Sequence, residues 1–109
     1  MIVADMTRPT LRTIKQAVAE SCGVSVEELE GHSRRRTIAW PRQMAYWMCR
    51  HHAGKSYGVI GFHFGRRDHT TIIYGTHAFA ARLSNEGDIG AETARVKEAV
   101  ETLLAGEGG

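Results

Sequence analysis

Gly65-Arg66-Arg67-Asp68-His69-Thr70-Thr71 is the stretch on which the reading of this chain turns. Glycine followed by two arginines makes a tight turn, and Asp68 is a helix N-cap whose carboxylate accepts from the free N–H groups that open a helix. Behind it Ile72, Thr76, Phe79 and Leu83 recur at helical spacing, so one side of a helix running to about residue 83 is apolar. Ahead of it Ser56 caps a shorter helix with Tyr57, Ile60 and Phe64 on its apolar side. Gly58 and Gly61 weaken that helix by about 1 kcal/mol each relative to alanine, and Gly58-Val59-Ile60-Gly61 also admits a strand. A short helix, a turn of about three residues and a longer helix make a helix-turn-helix. In such a unit the second helix lies in the DNA major groove with its first turn nearest the bases. Asp68, His69, Thr70 and Thr71 all hydrogen-bond, and threonine methyls match thymine methyls. Any helix start can carry Asp and Thr, but that leaves two arginines and a histidine in the same turn unexplained.

Outward from this unit the chain is helical throughout. Leu11, Ile14, Val18 and Cys22 mark a first helix over roughly 9–22, with Pro9 near its start and Gly23 past its end. Ser25 and Glu28 form a capping box for a second, short helix, Val24 is placed to staple against Leu29, and Gly31 ends it. Residues 32–37 are too polar and charged to bury and read as an exposed basic loop. Pro41 opens a third helix through about His52 that buries some of Met44, Ala45, Trp47 and Met48, and 53–55 break it. After a break over 84–90 a last helix turns Val96, Val100 and Leu103 inward. The expectation is an all-α domain of about six helices, ordered over about 7–104, with Ala105 to Gly109 a loose tail. At 109 residues the chain is one domain that buries about 65 % of its unfolded surface around a single core.

Charge distribution says more than net charge. The formal balance is only +2, yet Gly31 to Arg67 holds eight Lys/Arg and no acid, with five of the twelve acids before that window and seven after it. If the flanks fold away, the middle presents a strongly positive face, the kind that meets a polyanion. Other classes are disfavoured. No apolar run approaches the ~20 residues of a membrane span, and Met1 to Asp5 lack the order of a signal peptide, so the chain reads as cytoplasmic and nucleoid-associated. Cys22 and Cys49 are too far apart for a CxxC site and read as small core hydrophobes. His51 and His52, being adjacent, point about 100° apart on a helix, which argues against metal, and no carboxylate lies in the window to orient a Cys-His pair. Ala53-Gly54-Lys55-Ser56 imitates the end of a phosphate loop, but Cys49 stands where that motif requires glycine. No enzyme, cofactor or metal is expected.

Gly65 to Ile73, preceded by Arg34-Arg35-Arg36-Thr37-Ile38-Ala39-Trp40-Pro41-Arg42-Gln43-Met44-Ala45, resembles the C-terminal DNA-binding domain (domain IV) of the bacterial chromosomal replication initiator family DnaA, a Trp-repressor-like helix-turn-helix fold. The likeness covers about Thr7 to Leu104, in the family's order and spacing, without its ATPase module. It implies that Arg34 enters the minor groove with Arg35 and Arg36 assisting, and that Arg42, Gln43 and Arg50 touch phosphate. Lys55 and Ser56, at the head of the first motif helix, join this set, and Arg66 beside the signature adds a phosphate or guanine contact. Arg67, Asp68, His69, Thr70 and Thr71 match the signature that reads the major groove and its flanking phosphates. The implied partner is double-stranded DNA carrying an asymmetric A·T-rich box, bound by one copy per site, in replication initiation or its regulation. A transcription regulator using the same domain and a protein-docking adaptor with no DNA role are the alternatives. The chain departs from the family pattern at Tyr57-Gly58, Phe62, His63 and Arg66, the last standing where glycine is usual.

Overall fold

The computed structural model describes residues 9–108 of the chain, so an ordered region beginning at Thr7 lies partly outside the described residues. Those residues form six helices in order: α1 (Leu11–Cys22), α2 (Val26–Glu30), α3 (Arg36–His51), α4 (Tyr57–His63), α5 (His69–Asn85) and α6 (Gly87–Gly108). The ambiguous 58–61 stretch is helical, within α4. None of the described helices is long and apolar enough to cross a membrane.

Most helix starts follow the local chemistry that the residues announce. Thr10, Ser25, Ser56 and Asp68 each accept a backbone N–H at an N-cap, and Ser25 with Glu28 completes the reciprocal capping box. Gly23 closes α1 in the left-handed region at φ 70°. The core joins Ile14 and Val18 of α1, Leu29 of α2, Met44 and Met48 of α3, Ile60 of α4, Ile72 and Phe79 of α5 and Val96 of α6. α3 and α5 pack against each other at its centre, α1 lies on α3 and α6, and α4 rests on α5.

Four boundaries or placements differ from expectation. α3 begins at Arg36, a full turn before Pro41, which is buried inside the helix. That extra turn buries Ile38 and stacks Trp40 on Phe79 at 6.5 Å, with the Arg82 guanidinium 4.9 Å from the Trp40 ring. This packing outweighs the one backbone bond that proline cannot donate, so the basic loop is shorter than 32–37. The break before the last helix shrinks to Glu86, whose extended backbone (φ −125°, ψ 110°) turns the chain while Ile89 anchors the first turn of α6 in the core. α6 also continues through 105–108, where a loose tail was expected. Cys22 is only half-buried, at the rim of the core beside Glu92, whereas Cys49 is fully inside.

Candidate nucleic-acid interface

The turn between α4 and α5 is made by two consecutive residues of positive φ, Gly65 at 78° and Arg66 at 59°. Gly61 O accepts the N–H of Phe64 at 3.2 Å and of Arg67 at 2.8 Å, which folds the end of α4 back under the turn. Asp68 then caps α5, its Oδ1 3.4 Å from Thr70 N and 3.4 Å from His69 Nδ1. Asp68, His69, Thr70 and Thr71 are all exposed, while Ile72 immediately behind them is fully buried. α5 is held from behind by Gly75, where an added Cβ would come within 2.8 Å of the Tyr46 ring. The first turn of α5 is thus both rigidly backed and open to solvent.

Arg66 pays a local conformational cost, because a side chain is disfavoured in the left-handed region by roughly 1–2 kcal/mol. This accounts for the glycine that is usual at this position. The guanidinium lies 5.6 Å from the exposed Phe62 ring. Arg66→Gly is expected to raise the unfolding free energy by about 1 kcal/mol in a urea titration while removing one surface cation. An unchanged or lower midpoint would show that the Phe62 contact outweighs the strain.

The arginines of the basic window divide into two groups. Arg34, Arg35 and Arg36 are exposed at the entry to α3. Of α1 to α5 this is the one helix whose N-cap, Arg35, makes no side-chain hydrogen bond, so no side chain competes with an outside anion for its first N–H groups. Arg42, expected at phosphate, behaves differently: its guanidinium is turned into the protein. It is 6 % exposed, and its guanidinium donates from Nε to Leu29 O at 2.8 Å, from Nη1 to Ser33 O at 2.8 Å and from Nη2 to Glu28 O at 2.7 Å. Those carbonyls lie at the end of α2 and in the following loop, where the helix ladder has run out; Glu28 O also accepts the Gly31 N–H at 3.2 Å. Burial, then the nearby Arg67, pushes the Arg42 pKa below the ordinary guanidinium range.

Two further cations fasten the same corner. Arg67 is half-buried and its Nη2 donates to Gly31 O, while Lys15 Nζ, nearly buried, bonds Glu30 Oε2 at 2.7 Å and His63 O and sits over the Phe64 ring at 4.7 Å. Gly65 packs so closely on Glu30 O that a Cβ there would collide with it. The base of the basic loop and the turn of the helix-turn-helix are therefore bonded to each other. Lys15 gave no signal in the sequence, since a lysine on a helix normally reads as solvated.

The remaining site residues fall beside this corner. Arg50 Nη1 donates to Lys55 O at 3.1 Å and its guanidinium lies 4.6 Å from the Tyr57 ring, which gathers Arg50, Lys55 and Ser56 at the head of α4. Ser56 Oγ accepts Val59 N at 3.2 Å. Gln43 is half-buried, in a cleft shared with Arg36, Trp40 and Arg82. Tyr74 and His77 are exposed on α5 beyond the signature. They stand four and seven positions beyond Thr70 on the same helix. Burial raises the thiol pKa to about 11 at Cys22, with Glu92 adding to it, and to about 12 at Cys49, so neither is a thiolate at neutral pH.

The family described as bacterial dnaA protein helix-turn-helix matches residues 11–78, which include α1 to α4, the turn and the front half of α5. A chromosomal replication initiator protein DnaA of Nostoc punctiforme is 46 % identical over 61 residues, covering 56 % of this chain and 13 % of that protein. One of Chloroflexus aurantiacus is 32 % identical over 96 residues, covering 88 % of this chain and 20 % of that protein, and one of Trichormus variabilis is 36 % identical over 77 residues, covering 71 % and 17 %. The chain therefore spans a fifth or less of the length of these curated relatives. A helix-turn-helix matched across most of the chain, on an all-helical fold, makes this protein a member of the bacterial DnaA helix-turn-helix family.

Proposed function

We propose that the chain binds double-stranded DNA sequence-specifically, with the first turn of α5 in the major groove and Arg34 in the adjacent minor groove. One observation carries this reading. The exposed turn 68–71 and the exposed arginines 34–36 project from elements that Arg42, Arg67 and Lys15 bond together, so two groups suited to bases and phosphates belong to one rigid corner. Arg34 suits a narrow A·T-rich minor groove, whose enhanced negative potential attracts guanidinium. The N–H groups at the start of α3, together with Arg35, Arg36, Arg50, Lys55 and Arg66, supply phosphate contacts. An asymmetric site is taken by one copy of the chain, and the name carried by the relatives points to initiation of chromosomal replication or its regulation as the setting.

Selection of duplexes from a random-sequence pool, followed by titration of the best-bound duplex against a scrambled one across salt, tests this. About five phosphate contacts give a log–log salt slope near −4.5. Arg34→Ala is expected to cost about 1–3 kcal/mol on the selected duplex and much less on the scrambled one. Equal losses on both would make Arg34 a phosphate contact only, and a pool that yields no preferred sequence would end the proposal.

A further inference from the structure

The exposed face of α5 extends beyond its first turn. Thr70, Tyr74, His77 and Ala81 are all exposed and at 100° per residue fall within about 60° of one another, directly opposite the buried Ile72, Thr76 and Phe79. Within that stripe stands Tyr74, 68 % exposed. Among the described residues no ring, cation or hydrogen-bond partner is recorded for it, in contrast to Tyr46 on Phe64, Tyr57 under Arg50 and Phe62 beside Arg66. Its ring contributes little to the core and is presented on the surface that carries Thr70.

We infer that Tyr74 is a specificity-determining residue of the DNA site, its ring reading the C5-methyl of a thymine in the major groove. The inference rests on the DNA-binding reading above and adds a residue and a chemical group to it. Four residues along a helix advance about 6 Å, which sets Tyr74 one to two base-pair steps from the pair that Thr70 meets. In the major groove thymine is the base that offers a methyl, and an aromatic side chain meets it by apolar contact. Tyr74 thus extends recognition from the hydrogen-bonding first turn of α5 to an apolar contact in its second.

Deoxyuridine differs from thymidine by that methyl alone. Each thymine of the best-bound selected duplex is replaced in turn by deoxyuridine, and the affinity of each duplex is measured for the wild-type chain, Tyr74→Ala, Tyr74→Phe and Thr70→Ala. Burying one methyl is worth about fourfold in affinity. One thymine should show a penalty of that size with the wild type, Tyr74→Phe and Thr70→Ala, and none with Tyr74→Ala. The same set of penalties in Tyr74→Ala as in the wild type overturns the inference, as does a wild type that prefers the selected duplex yet pays no penalty at any thymine. In both cases sequence-specific binding itself stands. A pool without any preferred sequence removes both proposals together.

Discussion

Arg42→Met is expected to cost about 3–4 kcal/mol of folding stability and to lower the melting temperature by roughly 15 °C. The substitution keeps much of the side-chain volume and removes three charge-assisted donors from Glu28 O, Leu29 O and Ser33 O. Hydrogen bonds to charged groups contribute about 1.5–3 kcal/mol each, and water reaching the outer carbonyls returns part of the loss. Lysine at the same position has a single ammonium and no planar fork, so Arg42→Lys should recover at most about a third. The control is Arg34→Met, which removes an exposed arginine and should stay within about 0.5 kcal/mol. Urea denaturation of the three variants measures this. A phosphate-binding Arg42 would give the opposite pattern: unchanged stability and a salt slope shallower by about one unit.

Gly65→Ala should destabilise the chain by about 2–3 kcal/mol, through two costs that arise in one residue. A left-handed backbone at φ 78° disfavours any L side chain by about 1 kcal/mol, and the new Cβ is driven into the carbonyl oxygen of Glu30. Backbone cannot yield as the tip of a flexible side chain does, so the turn must move away from the end of α2. That movement strains the Arg67 bond to Gly31 O and changes the distance between the basic loop and α5. Affinity for the selected duplex should therefore fall by more than the unfolded fraction explains, measured where at least nine-tenths of the variant is folded. Gly58→Ala is the matched control, since nothing lies within 4 Å of its Cβ and alanine favours the helix. A Gly65→Ala midpoint within about 0.5 kcal/mol of the wild type would mean that α2 and the turn slide freely past each other.

The parts of the site that were readable before folding are those governed by near neighbours. Ser25 with Glu28, Ser56 and Asp68 cap helices because an oxygen three or fewer residues away meets an orphan N–H, and no distant contact is needed. Periodicity likewise placed Ile72, Thr76 and Phe79 inside and left Thr70 outside. The start of α3 was not readable, because Pro41 is a local signal for a first turn and the opposing force is the stacking of Trp40 on Phe79, 39 positions away.

Arg42 marks the limit most clearly. It shares with Arg34 to Arg36 the stretch from Gly31 to Arg67, which holds eight Lys/Arg and no acid. Local composition established how much charge the middle of the chain carries and which helices frame it. Which arginines face outward depended on where α2 ended: two of its last carbonyls, 13 and 14 positions away in sequence, and that of Ser33 in the following loop came to lie beside Arg42 and took its guanidinium inward. Arg34 to Arg36 met no such acceptors and stayed in solvent. An orphan carbonyl in a protein interior must find a donor, and the position of that carbonyl is a property of the packed chain.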